Sequence, residues 1–317
     1  MISVAIPVYN EQEIVHILHS RVSRVMNGIG EDWEVVYVND GSKDATLKLL
    51  LELQAGDPHI VVVDLSRNWG HMGALSAGMQ TARGDAVVLM DGDLQDPPEV
   101  IPEMVAAWRN GAKVVSAVRR KREESRKYLL VLFSIFYRVL GALSDFPIPL
   151  NSGIFGLMDR QALDSFNALG EYNRYLPGLR AWIGYPTALV YYDRKERVGG
   201  EGKLSFVSRI KYALDAITSF SYKPLRVSFL LGIPAIALAI VAAAVLALTG
   251  NLTGTAAIIA AIFFMGGVQL FCVAVLAEYI GRIHDEVRRR PISLINAVHR
   301  AQTVPSAATK DVLPAAA

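Results

Sequence analysis

The sequence predicts an α/β fold built on a mostly parallel sheet, followed by two apolar segments long enough to cross a membrane. Three observations support this. Short apolar runs alternate with amphipathic helical patterns through the N-terminal part of the chain. A polar cluster follows each apolar run. No charged residue occurs between Arg226 and Glu278, and this uncharged stretch is longer than a buried core helix needs.

The strand and helix patterns alternate as they do in repeated strand–helix–strand units. Strands are predicted at residues 2–7, 34–38, 60–65 and 86–90, and helices at residues 11–26, 44–54 and 72–82. Parallel strands joined in this way form a sheet with helices on both faces. Because the carboxyl ends of parallel strands lie at one edge, the four polar clusters should meet there and form a ligand crevice.

The cluster after the fourth strand carries the strongest chemical signal. Asp91, Asp93 and Gln95 stand at alternate positions directly after the apolar residues 86–90. If the chain is extended there, the three side chains share one face, and their oxygens can bind Mg²⁺ or Mn²⁺. The alternative is an ordinary solvated turn that ends at two prolines.

Two common nucleotide-binding motifs are missing from the sequence. No Gly-x-Gly-x-x-Gly opens the first predicted helix, and no Gly-x-x-x-x-Gly-Lys occurs. Neither a nicotinamide-dependent enzyme nor a P-loop protein is therefore supported. A cation between carboxylates at the strand ends instead suits a substrate whose diphosphate leaves in the reaction.

The two apolar segments predict a membrane hairpin. Residues 227–249 and 256–277 can each span a hydrocarbon core of about 30 Å as a helix. Basic residues flank both outer ends, with Lys223 before the hairpin and Arg288 after it. Since such residues stay cytoplasmic, both termini and the N-terminal domain are expected on the cytoplasmic side of the inner, or plasma, membrane. A buried helical pair in a soluble protein is the alternative.

Composition agrees with a membrane protein of a reducing compartment. Hydrophobic residues make up 52% of the 317 residues, and the mean hydropathy is +0.31. Cys272 is the single cysteine of the chain, so no disulfide can form within it. Met1 is followed by strand residues rather than by the charged region of a signal peptide.

Two further segments suggest contact with the membrane surface. Residues 206–226 carry apolar side chains at helical spacing, and such a helix either lies in the interface or packs on the domain. The basic run from Arg119 to Lys127 is either a solvated face or a site that holds an anionic acceptor and lipid headgroups.

An ordered set of motifs resembles the inverting GT-A glycosyltransferases of family 2. The motifs are Ile6-Pro7-Val8-Tyr9-Asn10-Glu11, Val38-Asn39-Asp40-Gly41-Ser42, Ser66-Arg67-Asn68-Trp69-Gly70, the stretch from Met90 to Pro98, Asn151-Ser152-Gly153 and Leu157-Met158-Asp159-Arg160. Within that family, the two spans and Glu278-Tyr279-Ile280-Gly281-Arg282 resemble the polyprenyl-phosphate glycosyltransferases, the bacterial relatives of dolichyl-phosphate mannose synthase.

The resemblance implies four regions. They are a GT-A domain with a Rossmann-like, mostly parallel sheet at residues 1–205, a juxtamembrane amphipathic helix at 206–226, a two-helix transmembrane hairpin at 227–281, and a basic cytoplasmic tail at 282–317 with a disordered end.

The resemblance also implies roles for individual residues. The nucleotide would be held by Pro7, Tyr9, Glu11 and Asp40. The candidate catalytic residues are Asp91, Asp93 and Asp159, of which Asp159 would lie near the acceptor or donor sugar. The metal would be bound by Asp93 and Gln95, with Asp91 beside them. The acceptor phosphate would be contacted by Arg119, with Arg126 or Lys127. Ile154 and Gly156 depart from the family pattern near the sugar, where many relatives carry an acidic residue and an arginine.

The implied function is transfer of a sugar from a UDP- or GDP-sugar to a polyprenyl phosphate of the undecaprenyl type, with inversion, for envelope glycan or lipid modification. The expected partners are the nucleotide-sugar donor, the lipid acceptor, Mg²⁺ or Mn²⁺ and membrane lipids, with no nucleic acid, and relatives suggest a homotetramer. Two alternatives remain open: a processive polysaccharide synthase and a non-catalytic nucleotide-sugar-binding membrane protein.

Overall fold

The computed structural model describes residues 1–120, 152–172, 174–193 and 255–301, together with isolated positions between 234 and 248. The strands are β1 (Ile2–Val8), β2 (Trp33–Asn39), β3 (Ile60–Leu65), β4 (Ala86–Leu89), β5 (Val114–Arg119), β6 (Ser152–Asp159), β7 (Thr187–Tyr192) and β8 (Ile295–Arg300). The helices are α1 (Val15–Ile29), α2 (Thr46–Gly56), α3 (His71–Thr81), α4 (Ile101–Arg109), α5 (Arg160–Asn167), α6 (Leu176–Trp182) and α7 (Thr255–Arg288).

All eight of these strands belong to one sheet, in the order β7-β5-β6-β4-β1-β2-β3-β8. Strands β1 to β4 are parallel to one another, as the alternating pattern predicted. Only β6 and β8 run against the others, because β6 is antiparallel to both β4 and β5, and β8 is antiparallel to β3. The mostly parallel sheet is therefore confirmed.

Helices cover both faces of the sheet and enclose two cores. Helices α1, α2 and α4 contribute to one buried cluster, and α3, α5 and α6 contribute to the other. Every residue of β1, β2 and β4 is buried, which explains why these strands are mostly apolar and do not alternate between apolar and polar residues.

Pro7 lies within β1, a central strand, and its position explains how the sheet tolerates it. The Met90 N–H donates to the Ala5 carbonyl at 3.2 Å. The odd-numbered residues of β1 therefore direct their backbone N–H and C=O groups toward β4. The ladder between β1 and β4 ends at Ala5 and Leu89. The missing N–H of Pro7 therefore falls beyond the last pair of that ladder.

The chain after the apolar helix α7 returns to the sheet, which the sequence did not predict. Helix α7 continues beyond the predicted end at residue 277, and β8 then pairs with β3 along five residue pairs that include Val62 and His299. Without β8, β3 would be an edge strand with unpaired backbone groups. The predicted tail at 282–317 is corrected accordingly: its first part completes α7 and adds a strand to the domain.

Helix α7 contains the candidate membrane span among the described residues. The stretch Phe264–Arg288 has a mean hydropathy of 1.6, and none of its apolar window is buried in the protein. The first predicted span, at 227–249, falls mostly outside the described residues, although the described positions between 234 and 248 are helical and exposed. The amphipathic segment 206–226, Arg126, Lys127, Asn151 and the chain end after residue 301 also lie outside them.

Candidate active site

The segments after β1 and β2 are joined by hydrogen bonds from backbone N–H groups to side-chain oxygens. The Asn10 N–H donates to Ser42 Oγ at 3.0 Å, and the Lys43 N–H donates to Asn10 Oδ1 at 2.8 Å. The Glu11 N–H donates to Thr46 Oγ1 at 2.9 Å. Asn10 adopts a left-handed conformation with φ 53°, which its short polar side chain tolerates better than most. The first two polar clusters therefore form one structural unit.

Three of the four predicted nucleotide residues belong to the β1 exit, and Asp40 belongs to the β2 exit. Pro7 is buried within β1, whereas Tyr9 and Glu11 are half-buried in the following loop. The structure thus brings Tyr9, Glu11 and Asp40 to one edge of the sheet. Pro7 contributes backbone to this edge rather than an accessible side chain.

Asp40 and Gly41 connect the second exit to the third. Asp40 is buried and accepts the Trp69 N–H at 2.6 Å. Burial raises the pKa of Asp40, although backbone N–H groups of Trp69 and Gly70 act against that shift. Gly41 has φ 63°, and a Cβ there would lie 2.5 Å from the carbonyl carbon of Arg67. Only glycine allows this approach of the two loops.

The loop after β4 presents Asp91, Asp93 and Gln95 together, as the sequence predicted. These three residues are half-buried, and the residues between them are buried. The chain is not extended, however, which corrects the predicted conformation. It turns at Leu94, which has φ 60°, and the Gln95 N–H donates to Asp93 Oδ1 at 3.2 Å. An Asp side chain commonly stabilises such a turn in this way.

His71 contacts the first of these carboxylates. Its Nε2 lies 3.1 Å from Asp91 Oδ1. Burial opposes a charge on His71, but its hydrogen bond to Asp91 and the nearby negative charges raise its pKa overall. A lone histidine in a sequence is more often structural than catalytic, so the sequence alone did not single out His71. Its position at the start of α3, directly after the third polar cluster, was the available signal.

The donors of this loop fit a cation that arrives with a substrate. Asp91, Asp93 and Gln95 offer two carboxylates and one amide oxygen. Within the part of the chain that the structure describes, no three His, Cys, Asp or Glu side chains are grouped to hold a metal by themselves. Proteins commonly bind Mg²⁺ through one or two carboxylates together with substrate phosphates and water. A cation held by these three side chains would keep coordination positions open for phosphate oxygens and water.

Arg119 lies at the same edge. It ends β5, which runs parallel to β4 because both strands are antiparallel to β6. Its Nη2 lies 3.9 Å from Asp96 Oδ1, and its Nε donates to Tyr192 Oη at 3.1 Å. Asp96 belongs to the loop that carries Asp91. The structure thus brings the predicted acceptor-phosphate residue beside the predicted cation loop.

Asp159 lies at the opposite edge of the sheet, and its predicted place beside the sugar is corrected. Because β6 runs against β4, Asp159 pairs with Ala86 at the start of β4, whereas Asp91 follows the end of that strand. Its side chain is already occupied by three donors, which are Trp108 Nε1 at 2.8 Å, Lys113 Nζ at 3.0 Å and the Gln161 N–H at 3.1 Å. Asp159 therefore caps α5.

Gly156 and Arg180 explain one departure from the family pattern. A Cβ at Gly156 would collide with Arg180 Nη1 and the Val115 carbonyl. Arg180 is buried, and its guanidinium donates to the carbonyls of Gly153 and Ile154. Arg180 therefore links α6 to the first half of β6 through hydrogen bonds.

The sheet order and the edge that gathers acidic and basic side chains define a Rossmann-like GT-A fold. The chain belongs to glycosyl transferase family 2. The sequence model of that family, "Glycosyl transferase family 2", matches residues 3–166. A second family model, described as "GtrB C-terminal hairpin", matches residues 223–283.

Three relatives match nearly the whole chain. An uncharacterized glycosyltransferase of Synechocystis is 40% identical over 93% of this chain and 94% of its own. The uncharacterized glycosyltransferase YkcC of Bacillus subtilis is 39% identical over 92% of each chain. The SfII prophage-derived bactoprenol glucosyl transferase of Shigella flexneri is 38% identical over 94% of this chain and 98% of its own.

Proposed function

We propose that this chain transfers a sugar from a UDP- or GDP-sugar to a polyprenyl phosphate at the cytoplasmic face of the inner membrane, with inversion at the anomeric carbon. The observation that carries the proposal is the attachment of the apolar helix α7 to the edge of the sheet that holds Asp91. The bactoprenol glucosyl transferase among the relatives supports a polyprenyl acceptor.

The attachment runs through the segment between α7 and β8. The Ser66 N–H donates to the Leu294 carbonyl at 3.0 Å, and Asn296 Nδ2 donates to Asp64 Oδ2 at 2.9 Å. A Cβ at Gly73, in the first turn of α3, would lie 3.3 Å from the Ile292 carbonyl. The chain that leaves the membrane helix therefore contacts the same loop and helix that carry His71.

The return of the chain to the sheet also supports a hairpin. Strands β7 and β8 belong to the same sheet, so the number of membrane crossings between them must be even. Helix α7 supplies one crossing. A second crossing at 227–249 satisfies the requirement and agrees with the hairpin model that matches residues 223–283. Both termini are then on the side of the catalytic domain.

The residues of the edge take the following roles. Tyr9, Glu11 and Asp40 line the nucleotide site, and Pro7 shapes it. Asp91, Asp93 and Gln95 would hold Mg²⁺ or Mn²⁺, which would neutralise negative charge on the diphosphate of the donor. Arg119, with Arg126 or Lys127, holds the acceptor phosphate.

The proposed chemistry is one displacement. An oxygen of the lipid phosphate attacks the anomeric carbon while the bond from that carbon to the nucleoside diphosphate breaks, so the configuration inverts. A phosphate monoester has a second pKa of about 6 and is already an anion at neutral pH. It needs no carboxylate to remove a proton, and this agrees with the distance of Asp159 from the proposed site.

The proposal is tested by nucleoside diphosphate release. Membranes that contain the protein are given Mg²⁺ and one nucleotide-sugar at a time, beginning with UDP-glucose, with and without undecaprenyl phosphate. We expect release that requires both the acceptor and the cation for at least one donor, and none from Asp93→Ala membranes. If no UDP- or GDP-sugar gives acceptor-dependent release, the proposal is wrong.

A further inference from the structure

Three side chains form a continuous hydrogen-bonded chain beside the proposed cation loop. Arg119 Nε donates to Tyr192 Oη at 3.1 Å, and Tyr192 Oη donates to Asp96 Oδ1 at 2.6 Å. Tyr192 is 3% exposed and Asp96 is 1% exposed. Arg119 belongs to β5, Tyr192 to β7 and Asp96 to the loop after β4. The hydrogen bonds therefore join three separate parts of the fold.

The direction of these bonds is fixed by chemistry. A guanidinium can only donate, so the phenol oxygen of Tyr192 must accept from Arg119. The single hydrogen of the phenol is then directed to Asp96. Burial and the neighbouring Asp96 raise the pKa of Tyr192, so the phenol keeps this hydrogen at neutral pH. The three side chains therefore have only one arrangement of hydrogen-bond donors and acceptors.

The surrounding structure holds the tyrosine in place. Tyr192 is the register partner of Arg119 on the neighbouring parallel strand. Its ring meets the ring of Phe155 edge to face, with centroids 5.4 Å apart. Because Tyr192 is fixed on two sides, it can fix the guanidinium in turn.

The guanidinium is confined on its remaining sides as well. Its Nη2 lies 3.9 Å from Asp96 Oδ1. A Cβ at Gly153 would lie 3.3 Å from the same nitrogen, which is tighter than an ordinary contact. Glycine at the start of β6 thus leaves room for the guanidinium, while Asp96 and Tyr192 determine its orientation.

We infer that Tyr192 and Asp96 are positioning residues that orient Arg119 for the phosphate of the lipid acceptor. The inference rests on the proposed function, because it concerns the acceptor site of the same reaction. Bidentate recognition of a phosphate depends on the angle of the guanidinium as well as on its charge. Losing one fixed hydrogen bond to that group should therefore weaken acceptor binding and leave donor binding unchanged.

The test compares Tyr192→Phe with Tyr191→Phe in the full-length protein in detergent. Tyr192→Phe removes the hydroxyl and keeps the ring against Phe155. Tyr191 is the neighbouring residue of β7, it is 49% exposed, and its variant is the matched control. Binding of farnesyl phosphate and of UDP with Mg²⁺ is measured for each variant by calorimetry. We expect Tyr192→Phe to bind farnesyl phosphate about tenfold more weakly, as for loss of one bond to a charged group, with UDP binding by the folded protein unchanged.

A second pair of variants measures the coupling. Arg119→Lys keeps the charge but loses the Nε–H, so adding Tyr192→Phe to Arg119→Lys should weaken farnesyl phosphate binding no further. The inference is overturned if Tyr192→Phe binds farnesyl phosphate as the wild type does, if it loses UDP binding to the same extent, or if the wild type does not bind farnesyl phosphate. A wild type that binds farnesyl phosphate through Arg119 and Tyr192 yet transfers no sugar would overturn the proposed function and leave the inference standing.

Discussion

The two edges of the sheet hold acidic side chains in different ways. At the edge where β4 begins, Asp159 is surrounded by three protein donors, and burial is outweighed so that its pKa is lowered. At the edge where β4 ends, Asp91, Asp93 and Asp96 lie within one short loop, and the first two remain half-buried.

The difference separates the stabilising role of Asp159 from the cation-binding role that we propose for Asp91 and Asp93. A carboxylate that is fully provided with donors contributes to folding and has little capacity left for a ligand. Several carboxylates gathered in one loop repel one another, and such arrangements are typical of sites that bind a cation. The direction of a strand, rather than the motif around an acidic residue, decides the edge to which that residue belongs.

The largest expected effect is on Asp93. Asp93→Ala should reduce sugar transfer by a factor on the order of 10³, since it removes a charged contact made at the departing diphosphate. Asp159→Asn is the matched control from the opposite edge and should retain most of the activity per folded molecule. Rates are measured in membranes with equal amounts of each variant. Near-normal transfer by Asp93→Ala would show that the loop after β4 does not have the proposed binding role.

Removal of divalent cations should have a similarly large but reversible effect. EDTA should abolish transfer, and Mg²⁺ or Mn²⁺ should restore it, because the loop after β4 offers only part of a coordination shell. The measurement is the initial rate before and after cation is returned. Transfer that persists at high EDTA concentration would contradict the assignment of Asp91, Asp93 and Gln95.

The next effect concerns the contact between the loops after β2 and β3. Gly41→Ala should lower the free energy of unfolding by about 3 kcal/mol and weaken UDP binding, since it combines a left-handed residue with a clash against backbone. Gly28→Ala is the control, because a Cβ there meets nothing within 4 Å and alanine favours a helix. Equal stability of the two variants would show that the loops do not require this approach.

The smallest effect is on stability at the opposite edge. Asp159→Asn should lower the free energy of unfolding by about 1 to 2 kcal/mol at neutral pH through loss of charge-assisted bonds. Because the pKa of Asp159 is lowered in the folded state, this contribution is complete above its unfolded pKa of about 4 and is lost as the pH falls further.

The difference between wild type and Asp159→Asn should therefore shrink in thermal unfolding below about pH 4. A difference that stays constant with pH would mean that the three donors do not act on the charged form.

Much of the N-terminal fold could be predicted because local patterns determine it. The mostly apolar β1, β2 and β4 and the amphipathic helices between them have patterns that are visible in the sequence. The grouping of Asp91, Asp93 and Gln95 at a strand end followed from the geometry of parallel sheets. The amphipathic and membrane segments before residue 255 lie mostly outside the described residues, and those expectations stay predictions.

The remaining features depend on contacts between distant segments. The position of Asp159 required the reversed direction of β6, which no local pattern reveals. Strand β8 pairs with β3 from the far end of the chain, and the contact between Tyr192 and Asp96 joins residues that are 96 positions apart. His71 was closest to being found, since it directly follows a polar cluster that the sequence had identified.

The most direct test of the central claim is the mass of the lipid product. Undecaprenyl phosphate is incubated with the membranes and the donor that supports nucleoside diphosphate release, and the extracted lipid is examined by mass spectrometry. We predict undecaprenyl phosphate that carries a single sugar, formed by the wild type and not by Asp93→Ala. A lipid without sugar, or a long polymer, would contradict the account.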